Sequence, residues 1–225
     1  LLEDALVRDP GSDGRSRQKS LEALWVLQGM TFPGLGVAGM QELLSEAIMI
    51  PNPNVQRWVI RIAADNQVDL GTALRQLARK TKHPEVVSQL ASSAQRLGDR
   101  HLIASLATRG EFTEDPFIPL QLWWAMEALI TRHPERARDL LSYAGFWETP
   151  LFEKVLRERI GRRYMAERSP DSLRMCAWLL EKASGTRHLD PLIRGMEQAL
   201  EGTSLDPVPP ELDAALASIW ENQRV

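Results

Sequence analysis

Prolines recur at helix-length intervals along most of this 225-residue sequence, and their spacing is the feature that most restricts the fold. Proline suits a first helical turn, but it cannot continue a preceding helix. Intervals of 31 and 32 residues, followed by intervals of 16 to 21, therefore predict helices of about 12 to 17 residues joined by tight turns. The prolines that set this spacing are Pro53, Pro84, Pro116, Pro134, Pro150, Pro170, Pro191 and Pro210.

The most apolar segment, residues 115–130, predicts a buried helix that is covered on several sides. The run is too long for a strand and does not alternate between apolar and polar residues. Asp115 suits the N-cap of this helix, and Pro116 suits its first turn. Glu111 and Glu114 come just before it, where carboxylates stabilise the positive end of a helix, so they are not read as a catalytic pair.

Further helices are expected where apolar residues recur at spacings of three and four. The helix that follows Pro84 is unusual, because its outward face is polar but nearly uncharged, with Ser88, Gln89, Ser92, Ser93 and Arg96 on it. A closing helix carries Leu212, Leu216, Ile219 and Trp220 as its apolar stripe. The other expected spans lie near residues 21–28, 37–50, 55–63, 69–81, 102–107 and 151–168.

Two helix starts share the tripeptide His-Pro-Glu, at residues 83–85 and 133–135, which indicates a repeat. Helical pairs that return every 30 to 45 residues or so are typical of solenoids. We therefore predict an all-α chain that forms a right-handed, HEAT-like α-solenoid of antiparallel helix pairs. The array is expected to be one domain over residues 1–225, and the first residue, leucine, suggests a fragment of a larger chain.

Charge and hydropathy exclude several partners. The sequence has 27 basic and 30 acidic residues, so its net charge of −3 gives no general attraction to nucleic acid. No apolar run approaches the roughly 20 residues that cross a bilayer, so direct membrane insertion is not expected. The single cysteine, Cys176, is expected to be a buried, inert thiol, and the compartment stays open.

No catalytic or metal-binding motif stands out. Ser92, His101 and Asp99 supply the residue types of a triad, but no nucleophile elbow supports one. We therefore predict no catalytic residue, no metal site and no cofactor in this segment. The four histidines are scattered, without the i, i+4 spacing of helical metal ligands, and are expected in turns and caps: His83, His101, His133 and His188.

Four segments carry a family resemblance: LWVLQG at 24–29, VQRWVIR at 55–61, PEVVSQLASS at 84–93 and PLQLWWAME at 119–127. Together they resemble the helical-repeat region of the large PVC-type membrane-bound dehydrogenase and haem-binding proteins, over roughly residues 17–130. The resemblance implies a connector between a dehydrogenase-like β-propeller and a cytochrome c-like domain, in the periplasm or cell envelope. This chain contains neither module, so the resemblance implies a spacer or docking array.

Equivalent positions in successive repeats of a solenoid form a ridge along its surface. The residues eight positions beyond Pro53, Pro84 and Pro116 are Arg61, Ser92 and Trp124. We predict that these three line one face and form an interaction surface.

The helix over residues 151–168 is locally basic and is the second candidate surface. One interpretation is a solvated face with intrahelical pairs such as Glu158 with Arg162. The other is a docking patch for an acidic partner, in which Arg159 and Arg163 take part.

These observations predict a non-catalytic scaffold whose partners are flanking domains of the same chain or another protein. The alternative is a HEAT-like nucleic-acid-binding or DNA-base glycosylase module. Charge favours the scaffold, because a glycosylase of this kind would be net basic and this chain is slightly acidic.

Overall fold

The structure is a computed structural model that describes Glu22 and residues 36–222. Within residues 36–222 the chain forms twelve α-helices and no strand, which confirms the all-α prediction. The described residues fall into two compact units: unit 1 ends at Ser142, and unit 2 begins at Tyr143. The expectation of one domain over residues 1–225 stays a prediction. The helix expected near residues 21–28, with its LWVLQG segment, lies outside the described residues.

Several helices of unit 1 start where prolines and caps predict. Asn52 Oδ1 accepts a hydrogen bond from the Asn54 amide (3.0 Å) next to Pro53, and Asp99 Oδ1 accepts one from the His101 amide (2.8 Å). These bonds satisfy N–H groups that a helix start leaves unpaired. The helices are α1 Gly36–Ala47, α2 Pro53–Asp65, α3 Gly71–Lys80, α4 Pro84–Leu97, α5 Arg100–Ala107, α6 Ile118–Arg132 and α7 Pro134–Ser142, with a 3₁₀ turn at Gly110–Phe112.

Alternate helices of unit 1 pack against one another. The helix α4 contacts both α2 and α6, while α5 contacts α3 and α7. Ser88 of α4 donates a hydrogen bond through Oγ to Gln121 Oε1 of α6 (2.8 Å), which fixes these two helices side by side. The core between the helices is largely aliphatic, with Leu90, Leu102 and Leu122 fully buried.

The central helix α6 begins two residues later than predicted. Its first residue is Ile118, and Pro119 lies in its first turn. The physical reason is that Asp115 Oδ1 accepts hydrogen bonds from the amides of Phe117 and Ile118 (2.8 and 2.9 Å), which closes a turn before the helix. Pro116 therefore belongs to that turn, and the prediction that it opens the helix was wrong.

The polar face expected on α4 also differs from the structure. Ser93 is fully buried, although the sequence placed it on the outward face. Its Oγ accepts hydrogen bonds from Gln89 Nε2 and Arg96 Nη2 (both 3.1 Å), so its burial leaves no polar atom unpaired. Helical neighbours three and four residues away thus allow a serine to face the core.

One arginine is buried in unit 1 and holds the end of α3. Arg109, 7% exposed, donates through Nη2 to the Thr81 carbonyl (2.6 Å), through Nη1 to the Ala78 carbonyl and through Nε to Glu111 Oε1 (2.6 Å). Its guanidinium also lies 5.0 Å from the centroid of the Phe112 ring. The last carbonyls of a helix have no partner within the helix, and Arg109 supplies one. Its hydrogen bond to Glu111 holds the pKa of that carboxyl below the ordinary 4.5, against the opposing effect of burial.

Unit 2 begins with a short helix and a wide turn. The π-helical turn Phe152–Leu156 runs directly into an α-helix, so the helix expected over residues 151–168 is α-helical only in its later part. Ser169 Oγ accepts a hydrogen bond from the Ser172 amide (3.1 Å) and caps the helix that follows. The helices of unit 2 are α8 Ala144–Trp147, α9 Arg157–Glu167, α10 Pro170–Ala183, α11 Leu189–Leu200 and α12 Pro210–Asn222.

The helices α9 and α11 approach until their backbones touch, while α10 contacts both α12 and α9. A Cβ atom on Gly195 would lie 1.9 Å from the Glu158 carbonyl oxygen, and one on Gly161 would lie 2.5 Å from the Leu192 carbonyl oxygen. These two positions therefore require glycine for close approach, which the sequence reading did not identify.

The closing helix α12 buries a different stripe from the predicted one. Leu212 and Ile219 are buried as predicted, but Leu216 and Trp220 are exposed by 42% and 63%. The small side chain of Ala215 faces inward where a leucine was expected. The predicted stripe was therefore rotated too far around the helix axis.

Candidate functional site

Three of the predicted interaction residues lie in unit 1. Arg61 is exposed on α2, where its guanidinium lies 5.3 Å from the Trp58 ring centroid and its Nε lies 3.5 Å from Asp65 Oδ2. Ser92 is half-buried on α4, and Trp124 is 46% exposed on α6. That these three residues share one side of the unit stays a prediction.

The starting point of the predicted ridge needs a correction. The count to Trp124 began at Pro116, but Pro119 is the proline in the first turn of α6. Eight residues beyond Pro119 lies Glu127. Trp124 is therefore offset by three residues from the position that matches Arg61 and Ser92 when each helix is counted from its own first-turn proline.

Large apolar side chains instead form a ridge along α6 itself. Phe117, Leu120 and Trp124, here called the α6 ridge, are exposed by 65%, 36% and 46%. Their spacing of three and four residues places them on one face of the helix, while Leu122 and Met126 on another face are fully buried. The prediction that this helix is covered on several sides was thus wrong for the α6 ridge. The spacing of these three residues in the sequence could have revealed the exposed face. The segment is so rich in apolar residues, however, that the exposed and the buried apolar faces could not be told apart.

The two candidate residues of unit 2 lie on α9. Arg159 is exposed, whereas Arg163 donates through Nη1 to Glu167 Oε2 (2.8 Å) one turn further along the helix. Glu158 accepts a hydrogen bond from Gln198 Nε2 of α11 (2.8 Å), across the close contact of the two helices. The ion pair of Arg163 is typical of a solvated helix face. A docking role for Arg159 and Arg163 stays a prediction.

A cleft of about 440 Å³ lies beside the first turns of α3 and α5 in unit 1. Two of its arginines are paired with acids: Arg75 Nη1 lies 3.3 Å from Asp99 Oδ2, and Arg100 Nη1 lies 2.6 Å from Asp139 Oδ2. Because these arginines are paired with aspartates, the cleft has a weaker positive potential with which to attract a phosphate backbone. Asp99 also caps α5 by accepting from the His101 amide, which is a structural role and not that of a triad acid.

A different polar group lies in unit 2, around one buried histidine. It consists of Glu148, Glu153, Arg187 and His188, here called the His188 cluster. His188 is 2% exposed, and its Nε2 lies 3.1 Å from Glu148 Oε1. Arg187 Nη2 lies 2.5 Å from Glu148 Oε2 and also forms an ion pair with Glu153 Oε1. His188 lies in a turn at the N-cap position of α11, as expected, but its side chain forms no cap hydrogen bond.

Aromatic rings enclose the imidazole of His188. The rings of Trp147 and Phe152 meet it edge-on, with centroids 5.5 and 5.9 Å away. Among the described residues, His188 Nδ1 is a buried side-chain atom without a hydrogen-bond partner, whereas the buried Glu153 Oε1 meets Arg187 Nη2. The hydrogen bond with His188 lowers the pKa of Glu148 below its ordinary 4.5, burial works against this, and the charge of Arg187 adds to it. The Glu148 side chain is therefore a carboxylate at neutral pH.

Three residues of the cluster offer donors of the kind that metals use. One ligand atom each from Glu148, Glu153 and His188 lies within 4.8 Å of the others. Sequence spacing could not have revealed this group, because its members come from the loop after α8, the π-helical turn and the residue before α11. Only the fold brings them together.

The buried thiol of Cys176 is confirmed. The side chain is fully buried on α10, and burial raises the pKa of the thiol to about 12. Burial also raises the pKa of Tyr164 on α9 above its ordinary 10. Both groups are neutral at physiological pH, so neither is an activated nucleophile.

No model of a known protein family, no curated protein and no solved structure matches this chain. Every helix in the part of the chain that the structure describes is too short or too polar to cross a membrane.

Proposed function

We propose that this chain is a non-catalytic helical scaffold that docks a protein partner through the α6 ridge. The observation that carries the proposal is the exposure of Phe117, Leu120 and Trp124 on one face of the central helix of unit 1. Clustered large apolar side chains on a surface mark interaction sites, and tryptophan is enriched among the residues that dominate binding energy.

The proposed architecture is a HEAT-like α-solenoid of antiparallel helix pairs. Support comes from the stacking of alternate helices, α2 with α4 and α6, and α3 with α5 and α7. In unit 2, α9 stacks on α11 and α10 on α12 in the same alternating order. Stacked repeats of this kind present extended faces for binding.

The proposed partner is a flanking domain of the same polypeptide, in line with the resemblance to connectors between a dehydrogenase-like propeller and a cytochrome c-like domain. The α6 ridge has three residues, far fewer than the 20 to 30 residues or so that each side of a stable complex contributes. A covalent link raises the effective concentration of the partner, so a small contact suffices. The size of the ridge therefore favours a tethered partner over a free one.

Hydroxyl-radical footprinting tests this proposal on the 225-residue chain and on a longer polypeptide in which the proposed flanking domains are joined to it. Phe117 and Trp124 should be labelled in the shorter chain and protected in the longer one. Tyr143, 67% exposed and outside the ridge, serves as the control that should be labelled equally in both. Equal labelling of Trp124 in both chains would contradict docking at the α6 ridge.

Substitution gives a second arm of the test. The Leu120→Ser, Trp124→Ala double variant should lose the protection of Phe117 in the longer polypeptide while keeping the thermal midpoint within a few degrees. The matched control is Met49→Ser, which removes a side chain that is 71% exposed at a distance from the ridge in sequence. If the control abolishes protection equally, the contact does not depend on the ridge.

The nucleic-acid alternative is tested by a fluorescence-anisotropy titration with duplex DNA at low salt. The scaffold predicts at most weak binding, because the net charge is −3 and arginines of the unit 1 cleft are paired with aspartates. Submicromolar binding that weakens steeply with salt would overturn the scaffold proposal in favour of a nucleic-acid module.

A further inference from the structure

We propose that the His188 cluster of unit 2 binds one divalent metal ion of the zinc class, with His188, Glu148 and Glu153 as its protein ligands. Imidazole nitrogen and carboxylate oxygen are donor types that zinc takes from proteins, and a site with three protein ligands leaves a fourth position for water or another group. The site goes beyond the scaffold function and does not depend on it.

The first support is geometric. The candidate donor atoms all lie within 4.8 Å of one another, and His188 Nε2 lies 3.1 Å from Glu148 Oε1. Two donors bound at about 2.1 Å to one tetrahedral zinc ion are roughly 3.4 Å apart. The histidine and Glu148 are thus close to the separation that a shared metal requires, and Glu153 approaches the same point from the π-helical turn.

The second support is the unusual bonding of a buried side chain. His188 is 2% exposed, and the only side-chain hydrogen bond that the structure gives it stays within the cluster, to Glu148. Its Nδ1 has no hydrogen-bond partner among the described residues, whereas the buried Glu153 Oε1 meets Arg187 Nη2. Buried polar atoms are nearly always paired, so the unpaired ring nitrogen shows that the described residues do not fully satisfy this imidazole.

Arg187 shows that the space between the two carboxylates suits a cation. Its Nη2 lies 2.5 Å from Glu148 Oε2 and also pairs with Glu153 Oε1. The Arg187 side chain is 61% exposed and reaches the carboxylates from the surface. Ion pairs at such exposed positions contribute little stability, so a divalent ion can displace the guanidinium and turn it out to solvent. Arg187 is therefore a competitor of the metal.

Aromatic side chains pack against His188, the histidine of the proposed site. The rings of Trp147 and Phe152 pack edge-on against His188 and restrict its rotation. Apolar groups around a metal site limit the access of solvent and hold the ligands in place. Glu153 lies in a π-helical turn, a rare feature that is found often at functional sites.

The experiment uses the full 225-residue chain after removal of metal with EDTA. Isothermal titration with Zn²⁺ should give one ion per chain, and the thermal midpoint should rise when zinc is in excess. Cobalt(II) added in place of zinc should give the visible absorption of a four-coordinate site. The melting curve of each variant in EDTA shows whether the variant is folded before metal is added.

Variants assign the ligands. Glu148→Gln combined with Glu153→Gln should weaken zinc binding by at least about tenfold, and Arg187→Ala should strengthen it because the competing cation is removed. The matched controls are Glu158→Gln, whose partner is Gln198 on α11, and His101→Gln, an exposed histidine in unit 1. Both controls should bind zinc as the parent chain does.

Three results would overturn the metal site: no binding of one ion per chain, equal affinity in the parent and the double variant, or no change on Arg187→Ala. If the double variant does not fold, Glu148→Gln alone decides, because that side chain is 61% exposed and its replacement leaves the core intact. None of these results bears on docking at the α6 ridge, so the two proposals fail separately.

Discussion

The two units each bury a nitrogen-bearing side chain, but they satisfy it differently. In unit 1, Arg109 donates to the Ala78 and Thr81 carbonyls and to Glu111. In unit 2, one ring nitrogen of His188 meets Glu148, and the other has no hydrogen-bond partner within the part of the chain that the structure describes. The fully bonded arginine is a structural strut at the end of α3. The histidine has bonding capacity left over, which distinguishes a candidate site from a structural polar group.

The units also differ in how their helices are spaced. In unit 1 the central helix α6 fills the interior with large side chains, among them Trp123 at 8% exposure. In unit 2, α9 and α11 touch at Gly161 and Gly195, where a Cβ atom would overlap the opposite backbone. Unit 1 should therefore be sensitive to lost volume, and unit 2 to added volume.

The largest effect is expected when volume is removed from unit 1. Trp123→Ala should lower the free energy of unfolding by about 3 to 5 kcal/mol in a urea titration, because a buried indole is lost and a cavity remains. The matched control is Trp124→Ala, which truncates the exposed neighbour and should change stability by less than about 1 kcal/mol. Equal losses in the two variants would place Trp124 in the core and remove it from the α6 ridge.

Added volume should have the next largest effect, in unit 2. Gly195→Ala should destabilise the chain by about 3 kcal/mol in the same titration, because the new Cβ would lie 1.9 Å from the Glu158 carbonyl oxygen. Gly145→Ala is the control: the three atoms nearest to its Cβ would all belong to the side chain of Tyr143, which is exposed and can move. A loss below about 1 kcal/mol at position 195 would mean that α9 and α11 separate easily.

Substitutions of Arg109 and His188 compare a buried side chain that is fully hydrogen-bonded with one that is only partly hydrogen-bonded. Arg109→Met should cost about 2 kcal/mol, since it leaves the Ala78 and Thr81 carbonyls without their donor. His188→Gln in metal-free chain should cost less, about 1 kcal/mol, because one hydrogen bond is lost, to Glu148. Arg79→Met, at an exposed position on α3, is the control and should have little effect. The reverse order of the two losses would contradict the assignment of Arg109 as the structural group.

The helices were largely predictable because their signals are local. Proline and a capping side chain act within one turn, which explains why Asn52 with Pro53 and Ser169 with Pro170 mark true helix starts. The start of α6 was misplaced because two prolines, Pro116 and Pro119, compete for the first turn and only backbone geometry decides between them.

The candidate sites were less predictable because they depend on distant residues. The spacing of Phe117, Leu120 and Trp124 is in the sequence, but which apolar stripe of α6 faces outward depends on the packing of α4 and α7 against it. The contact of Glu148 with His188 joins residues 40 positions apart, and the hydrogen bond from Arg109 to the Ala78 carbonyl joins residues 31 positions apart. No periodicity encodes such pairings, so the structure was needed to find them.

The smallest expected effect concerns acid, and it compares the carboxylates beside the two buried groups. Glu111 is held by Arg109, and Glu148 chiefly by its hydrogen bond with His188; both have a pKa below the ordinary 4.5. Each therefore binds its proton more weakly in the folded chain than in the unfolded chain. The stability that each contributes is complete above the unfolded pKa and is lost as the pH falls through the lowered folded pKa.

Urea titrations between about pH 5 and pH 3 should show the free energy of unfolding falling with acid, and Glu111→Gln or Glu148→Gln should each make that fall shallower. Glu197→Gln, exposed on α11 and outside both networks, should leave the slope unchanged. If Glu148→Gln keeps the parent slope while Glu111→Gln flattens it, the bond between Glu148 and His188 contributes nothing in solution, and the contrast between the two units rests on Arg109 alone.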